Sequence, residues 1–178
     1  MTAMRSFIAV FLLILAASLL YAEQHQDVLN DEEVNQLRAT ALEPLKRLPL
    51  FVDFARLRID KVQQAHADPK LADREHELHE RLQDFMDVYD ELNDNIDTYA
   101  DRNDDIRKAL KVIIDADTEF DAKLRALQTP QATGPDARQY AFLLQTAQEA
   151  VESSAQDHRQ LLAEQEEAAK NKKGEKKH

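Results

Sequence analysis

No cysteine occurs among the 178 residues, so disulfides, an N-terminal lipid-bearing cysteine, a c-type haem, thiol redox chemistry and a cysteine nucleophile are all excluded. Stability must come from packing. Tryptophan is absent as well, and the chain has only two glycines and five prolines. That is too little turn-forming and aromatic material for a β-sandwich or barrel, and it implies an all-α chain.

Positive charge is also scarce: 23 Lys and Arg stand against 34 Asp and Glu, for a formal net charge of -11. Loss of residues 1–22, which carry only Arg5, would leave -12. The tail 170–178 holds five lysines and one glutamate, so residues 23–169 alone carry -16. A body this acidic argues against nucleic acid or anionic lipid as a main partner.

One long apolar run is present. Phe7 to Ala22 follows the single positive charge at Arg5 and is succeeded by Glu23, Gln24 and His25. At 16 residues it is shorter than the roughly 20 of a comfortable membrane span and reads as a secretory signal peptide. Cleavage is expected after Ala22, although Leu20 is large for the minus-three position. The alternatives are cleavage after Ser18 and a retained N-terminal anchor. The expected localisation is periplasmic or secreted, with no stable transmembrane span after cleavage.

Helical periodicity fills the rest. Asn30 and Glu33 have the spacing of a capping box ahead of Val34, Leu37, Ala41 and Leu42, and Pro44 should kink or end that helix. Residues 48–65 are read as a helix through Phe51, Phe54, Leu57 and Val62, against an extended alternative through Val52, Phe54, Leu57 and Ile59. Asp68 before Pro69 predicts a helix restart. Leu78, Leu82, Phe85, Tyr89, Leu92, Ile96 and Tyr99 then fall on the alternating three- and four-residue steps of a heptad seam. Ile106, Leu110, Ile113, Phe120, Leu124 and Leu127 resume it, interrupted by Asp117. TPQATG (129–134) reads as a loop. Pro135 opens a last helix with Tyr140, Leu144, Ala147, Val151 and His158 on its inner face.

Between Tyr99 and Ile106 the heptad phase is unbroken, which would permit one helix over 69–128 in a long dimeric coiled coil. The cap-forming residues Asp101, Asn103, Asp104 and Asp105 favour a turn instead. The expected fold is therefore an all-α, elongated antiparallel three-helix bundle (up-down-up) with short N-terminal helices and a disordered charged C-terminal tail, a monomer in preference to a dimer. Its segments are 1–22 signal peptide, 23–67 N-terminal helical segment, 68–169 bundle and 170–178 lysine-rich tail. Leu82, Phe85, Leu92, Ile113, Phe120, Leu144 and Val151 are the expected core.

Several constellations invite a chemical reading. His76, His79 and Glu80 are spaced to share one side of a helix and form the candidate metal site, for zinc, copper or nickel. The zinc-protease pattern HExxH is not met, because Glu80 stands where the second histidine belongs. A di-iron site would need paired Glu-x-x-His motifs, and only Asp73 with His76 comes near. Asp101, Asn103 and Asp105 match the start of a calcium loop, which then fails at Ile106 and Val112, where glycine and glutamate belong. His158 sits at an inward position and is expected to pair with Asp104 or Asp105 at the turn; haem ligation with Met86 has no supporting motif. No nucleophile elbow or phosphate-binding glycine loop occurs, and Ser153 and Ser154 lie mid-helix. No catalytic residue and no cofactor is assigned.

Lys170, Lys172, Lys173, Lys176 and Lys177 would give at most weak electrostatic contact with an anionic envelope polymer. The residues together imply a non-catalytic helical binding or scaffold protein of a bacterial envelope that engages a protein partner. The alternative is a periplasmic metal-binding or sensing protein using His76, His79 and Glu80.

Overall fold

A computed structural model describes residues 29–128 and 135–175, with side chains through residue 172. The expected signal peptide lies outside the described residues, as do the TPQATG loop and the last three residues of the tail. Asp31 onward is one compact unit. Among the described residues it holds five helices and no strand: α1 (Asp31–Ala39), α2 (Pro44–Ala67), α3 (Arg74–Asp101), α4 (Arg107–Ala126) and α5 (Pro135–Glu175). None of these helices is long and apolar enough to cross a membrane.

The expected three-helix bundle is corrected to four helices. Helix α2 packs along both α3 and α4, and α5 packs along the other sides of α3 and α4. The segment read as ambiguous is thus a full member of the core. Its Leu48, Phe51, Val52, Ala55, Ile59 and Val62 are completely buried, each large side chain contributing roughly 1.5–3 kcal/mol. The extended reading fails because one helical face collects all of these residues at three- and four-residue steps. Pro44 opens α2, as proline at a first helical turn does, and Pro49 is accommodated inside it.

The helices α3 and α4, consecutive in sequence, are diagonal in the bundle: none of their Cα atoms approach within 8 Å. Their side chains meet across the centre. Phe85 and Phe120 make an edge contact at 5.4 Å, Tyr89 and Phe120 another at 6.1 Å, and Phe85 stacks on Tyr89 at 5.8 Å. All seven expected core residues are buried.

The predicted break at 101–105 is a turn. Asn103 takes φ 60, a left-handed conformation that asparagine tolerates; its N–H donates to Ala100 O, and that of Asp104 to Tyr99 O. This is a Schellman termination. The predicted restart at Pro69 is displaced: Asp68 Oδ1 accepts from Lys70 N in a local turn, and α3 begins only at Arg74, after Asp73 at φ 53. At the other end α5 continues helically through Glu175, so Lys170, Lys172 and Lys173 extend a helix where a disordered tail was expected.

Candidate functional site

Heptad seams normally exclude polar groups, and each exception needs a partner. Asp117 on α4 and His158 on α5 are such exceptions, with side chains 0% and 5% exposed, and they face one another. His158 Nδ1 lies 2.9 Å from Asp117 Oδ2, and Tyr89 Oη of α3 donates to Asp117 Oδ1 at 2.8 Å. The expectation that His158 pairs with Asp104 or Asp105 is therefore corrected. The antiparallel register of α4 and α5, which sets Ile106 beside Gln165 and Leu124 beside Gln148, brings Asp117 opposite His158 about three turns along α4 from the 101–105 turn.

A carboxylate here accepts on both oxygens from two different helices, which satisfies a buried charge and locks three helices at one level. Burial pushes the Tyr89 hydroxyl far above its ordinary range, and the adjacent Asp117 carboxylate pushes it further, so Tyr89 keeps its proton and donates it to Asp117. Alongside, Asn93 Nδ2 of α3 donates to Ser154 Oγ of α5 at 3.2 Å, and the Ser154 hydroxyl also bonds to Tyr89. Ser154 is thus committed to Asn93 and Tyr89. No hydrogen bond joins it to His158 one turn away, as an activated nucleophile would require.

This network forms the floor of an opening between α3 and α5. A cleft of about 360 Å³ is lined by Asn93, Ser154 and His158 at its floor and by Asp97, Asp157 and Glu164 at its rim. It shares Ala100, Leu161 and Glu164 with a second cleft of about 440 Å³ that runs past the α3–α4 turn to Lys172. Gln165 closes the turn side: its Oε1 accepts from Ile106 N and its Nε2 donates to Asp104 O. One side chain thereby serves an orphan N–H at the start of α4, which has no side-chain cap of its own.

The candidate metal residues lie elsewhere, in the first turns of α3. His76 and Glu80 are exposed and His79 is half-buried. His79 Nδ1 is 3.8 Å from Glu80 Oε1. Among the described residues no three His, Asp or Glu side chains come together in a group that could hold a metal ion. Asp101, Asn103 and Asp105 form the turn, where Asp105 pairs with Arg107 at 2.6 Å; that hydrogen bond holds the carboxyl down at about 2.

Two groups escaped sequence reasoning. Glu33, expected to close a capping box, places its oxygens 2.8 and 2.6 Å from Arg58 Nη1 and Nη2 in a buried bidentate pair. Asn93 and Ser154 carry no pattern until the α3–α5 neighbour relation is known; the only prior signal at this level was the pair of polar interruptions, Asp117 and His158. No family model, no curated protein and no solved structure matches this chain.

Proposed function

We propose that this chain is a non-catalytic helical binding or scaffold protein of the bacterial cell envelope, which engages a protein partner through the α3–α5 face of its bundle. The observation that carries the reading is the continuous groove made by two adjoining clefts that share Ala100, Leu161 and Glu164. The four long helices bury their apolar faces against one another, and the cleft between the parallel α3 and α5 leaves a concavity of ligand size. Export through a cleaved N-terminal signal rests on the apolar run Phe7–Ala22 and the polar residues after it.

Site-specific photo-crosslinking in the producing bacterium tests this. A crosslinker at Gln160, on the groove, should trap a discrete protein adduct, and one at Asp53, on exposed α2, should not. Equal labelling from both positions, or none from Gln160, overturns the groove as the binding face. N-terminal sequencing of the same protein should find Glu23 in an extracytoplasmic fraction; Met1 or Thr2 on cytoplasmic protein would overturn the localisation. The metal reading has only the His79–Glu80 contact in its favour.

A further inference from the structure

One end of the bundle gathers the start of α2, the end of α3, the start of α4 and the end of α5. Tyr99 Oη donates to Ala41 O at 3.3 Å, which fastens the α1–α2 turn onto the last turn of α3, and the Arg102 guanidinium lies over the Tyr99 ring at 5.3 Å. Arg56 pairs with Glu119 and Asp60 with Lys123, each 63 positions apart; carried back along the parallel α2 and α4, that offset sets Leu45 beside Lys108 and Pro49 beside Val112. Beyond Gln165, which serves Ile106 N, α5 runs on past the α3–α4 turn, and Lys172 shares a cleft with Asn103 and Arg107. Two kinds of exposed group meet here. Leu42 is 85% exposed in the α1–α2 turn, and Leu45 and Val112 are each 44% exposed. Scattered singly, such residues are ordinary, but three of the five large exposed apolar side chains among the described residues share this end. Residues 40–47, 101–112 and 166–178 also hold eleven Lys and Arg against seven Asp and Glu, in a chain whose net charge is -11. Ion pairs neutralise Lys46, Arg102, Arg107 and Lys111 locally. Lys108, Lys170 and Lys172 are exposed and in no ion pair among the described residues.

A polyanion such as nucleic acid or a polysaccharide would satisfy the lysines and leave Leu42 in water. A neutral apolar surface would take Leu42 and leave the charges unused. An anionic bilayer supplies both phases side by side, headgroup phosphates outside and hydrocarbon beneath, and the aliphatic stems of lysine and arginine reach across the boundary. We infer that this end of the bundle, led by Leu42 and Leu45 and flanked by Lys108, Lys170 and Lys172, docks on an anionic lipid bilayer. The acidic body does not prevent that contact: the Debye length is about 8 Å at physiological salt, so a carboxylate more than about two helical turns from the surface is screened. It sets the orientation instead. The exposed Asp90, Asp94 and Asp97 along α3 are in no ion pair and are repelled by the surface that attracts the basic end, so the bundle stands end-on. The inference does not rest on the α3–α5 groove being a binding face.

The test is vesicle co-sedimentation of residues 23–178, which contain whole the compact unit from Asp31 onward. Vesicles of phosphatidylcholine with about one-third phosphatidylglycerol should bind the protein at low salt and release it at about 0.5 M salt, and phosphatidylcholine alone should not bind it. Lys108→Gln and Lys170→Gln should each lower the partition coefficient about twofold to fivefold, and Leu42→Ser about tenfold. Lys70→Gln and Phe142→Ser, both exposed at the other end, should leave it unchanged. Because the chain has no tryptophan, Leu42→Trp places a single indole at the contact. Its emission should shift to the blue on anionic vesicles and be quenched by brominated lipid, whereas that of Phe142→Trp should report water throughout. Binding without a blue shift from Leu42→Trp, equal binding to neutral vesicles, indifference to Leu42→Ser and to both lysine substitutions, or no binding at low salt overturns the inference. A crosslinker at Leu42 that traps a protein while vesicles go unbound overturns it in favour of a protein partner at this end. All these outcomes are independent of the Gln160 crosslink, which tests the groove alone.

Discussion

Two buried carboxylates among the described residues are satisfied in opposite ways. Glu33 on α1 meets a full opposite charge in the fork of Arg58, at the flank where the short α1 lies on α2. Asp117, at the centre of the bundle, is served by a phenol and an imidazole nitrogen from two further helices. The first sets one charge directly against another. The second is a junction of three helices, and one of its members, His158, lines the α3–α5 cleft. Buried polar groups that only stabilise end within the fold, whereas this network continues to a surface.

The sharpest way to break the comparison is to remove one member of each. Arg58→Ala strands the Glu33 charge and should cost about 3–5 kcal/mol, measured by urea unfolding. Asp117→Ala should cost a similar amount, by orphaning two buried donors and opening a small void beside Phe120. The two sites part when the whole group is replaced. Glu33→Leu with Arg58→Met should return to within about 1.5 kcal/mol of wild type, because a buried ion pair can give way to well-packed apolar residues. Asp117→Leu with His158→Leu should remain well below, since the Tyr89 hydroxyl then loses its buried carboxylate acceptor. Equal recovery at both sites would show that the junction is no more than a second buried pair.

Two buried tyrosines sharpen the point at smaller scale. Tyr89→Phe leaves Asp117 Oδ1 without its donor and should cost about 1–3 kcal/mol. Tyr140 Oη has no partner among the described residues, and burial pushes its pKa up to about 12. Tyr140→Phe should therefore be neutral or slightly stabilising by thermal melting.

A weaker effect should come from the brace between α2 and α4, where Lys123 reaches Asp60 and Glu119 at 2.7 and 2.6 Å and Arg56 reaches Glu119 at 2.9 Å. Burial alone would raise the Glu119 carboxyl, but the hydrogen bonds from Lys123 and Arg56 outweigh it and hold the group below its ordinary value. The brace then contributes fully above the unfolded carboxyl range of about 4.3 and is lost as pH falls through the lowered folded value. Lys123→Met should flatten this part of the acid limb, by about 1 kcal/mol or less after solvent screening. Smallest of all, equimolar zinc should leave the melting temperature unchanged if His76, His79 and Glu80 are simply solvated; a clear rise would revive the metal reading.

Much of this was legible in the chain. The heptad seam placed the core from Leu78 to Val151, Asn103 and its neighbours announced the turn, and His158 was seen to face inward. What failed was anything requiring a neighbour relation between helices. Leu48 to Val62 was read as a helix, but its spacing alone does not show that it lies along the bundle as a fourth member and not across its flank. His158 was assigned the acidic residues at the turn, where a symmetric hairpin at 129–134 sets it opposite Asp105; the actual register, with Ile106 beside Gln165 and Leu124 beside Gln148, is displaced along α5 and brings it to Asp117. Glu33 matched a local capping pattern, and a spacing of three residues cannot reveal that an arginine 25 positions later supplies the stronger partner.

The diagonal placement of α3 and α4 has a consequence for how the molecule assembles. In a bundle wound strictly around its edge, each pair of successive helices can zip from its connecting turn and hold as a partial structure. Here the α3–α4 turn joins elements whose backbones never touch, so that pair is held by side chains alone, among them the Phe85, Tyr89 and Phe120 rings and the Tyr89–Asp117 hydrogen bond. The units able to form locally are the hairpins α2–α3 and α4–α5, and the 102–106 segment is the hinge that swings one onto the other. Folding should therefore present itself as the docking of two halves, with Asp117 and Tyr89 joined only at that final step.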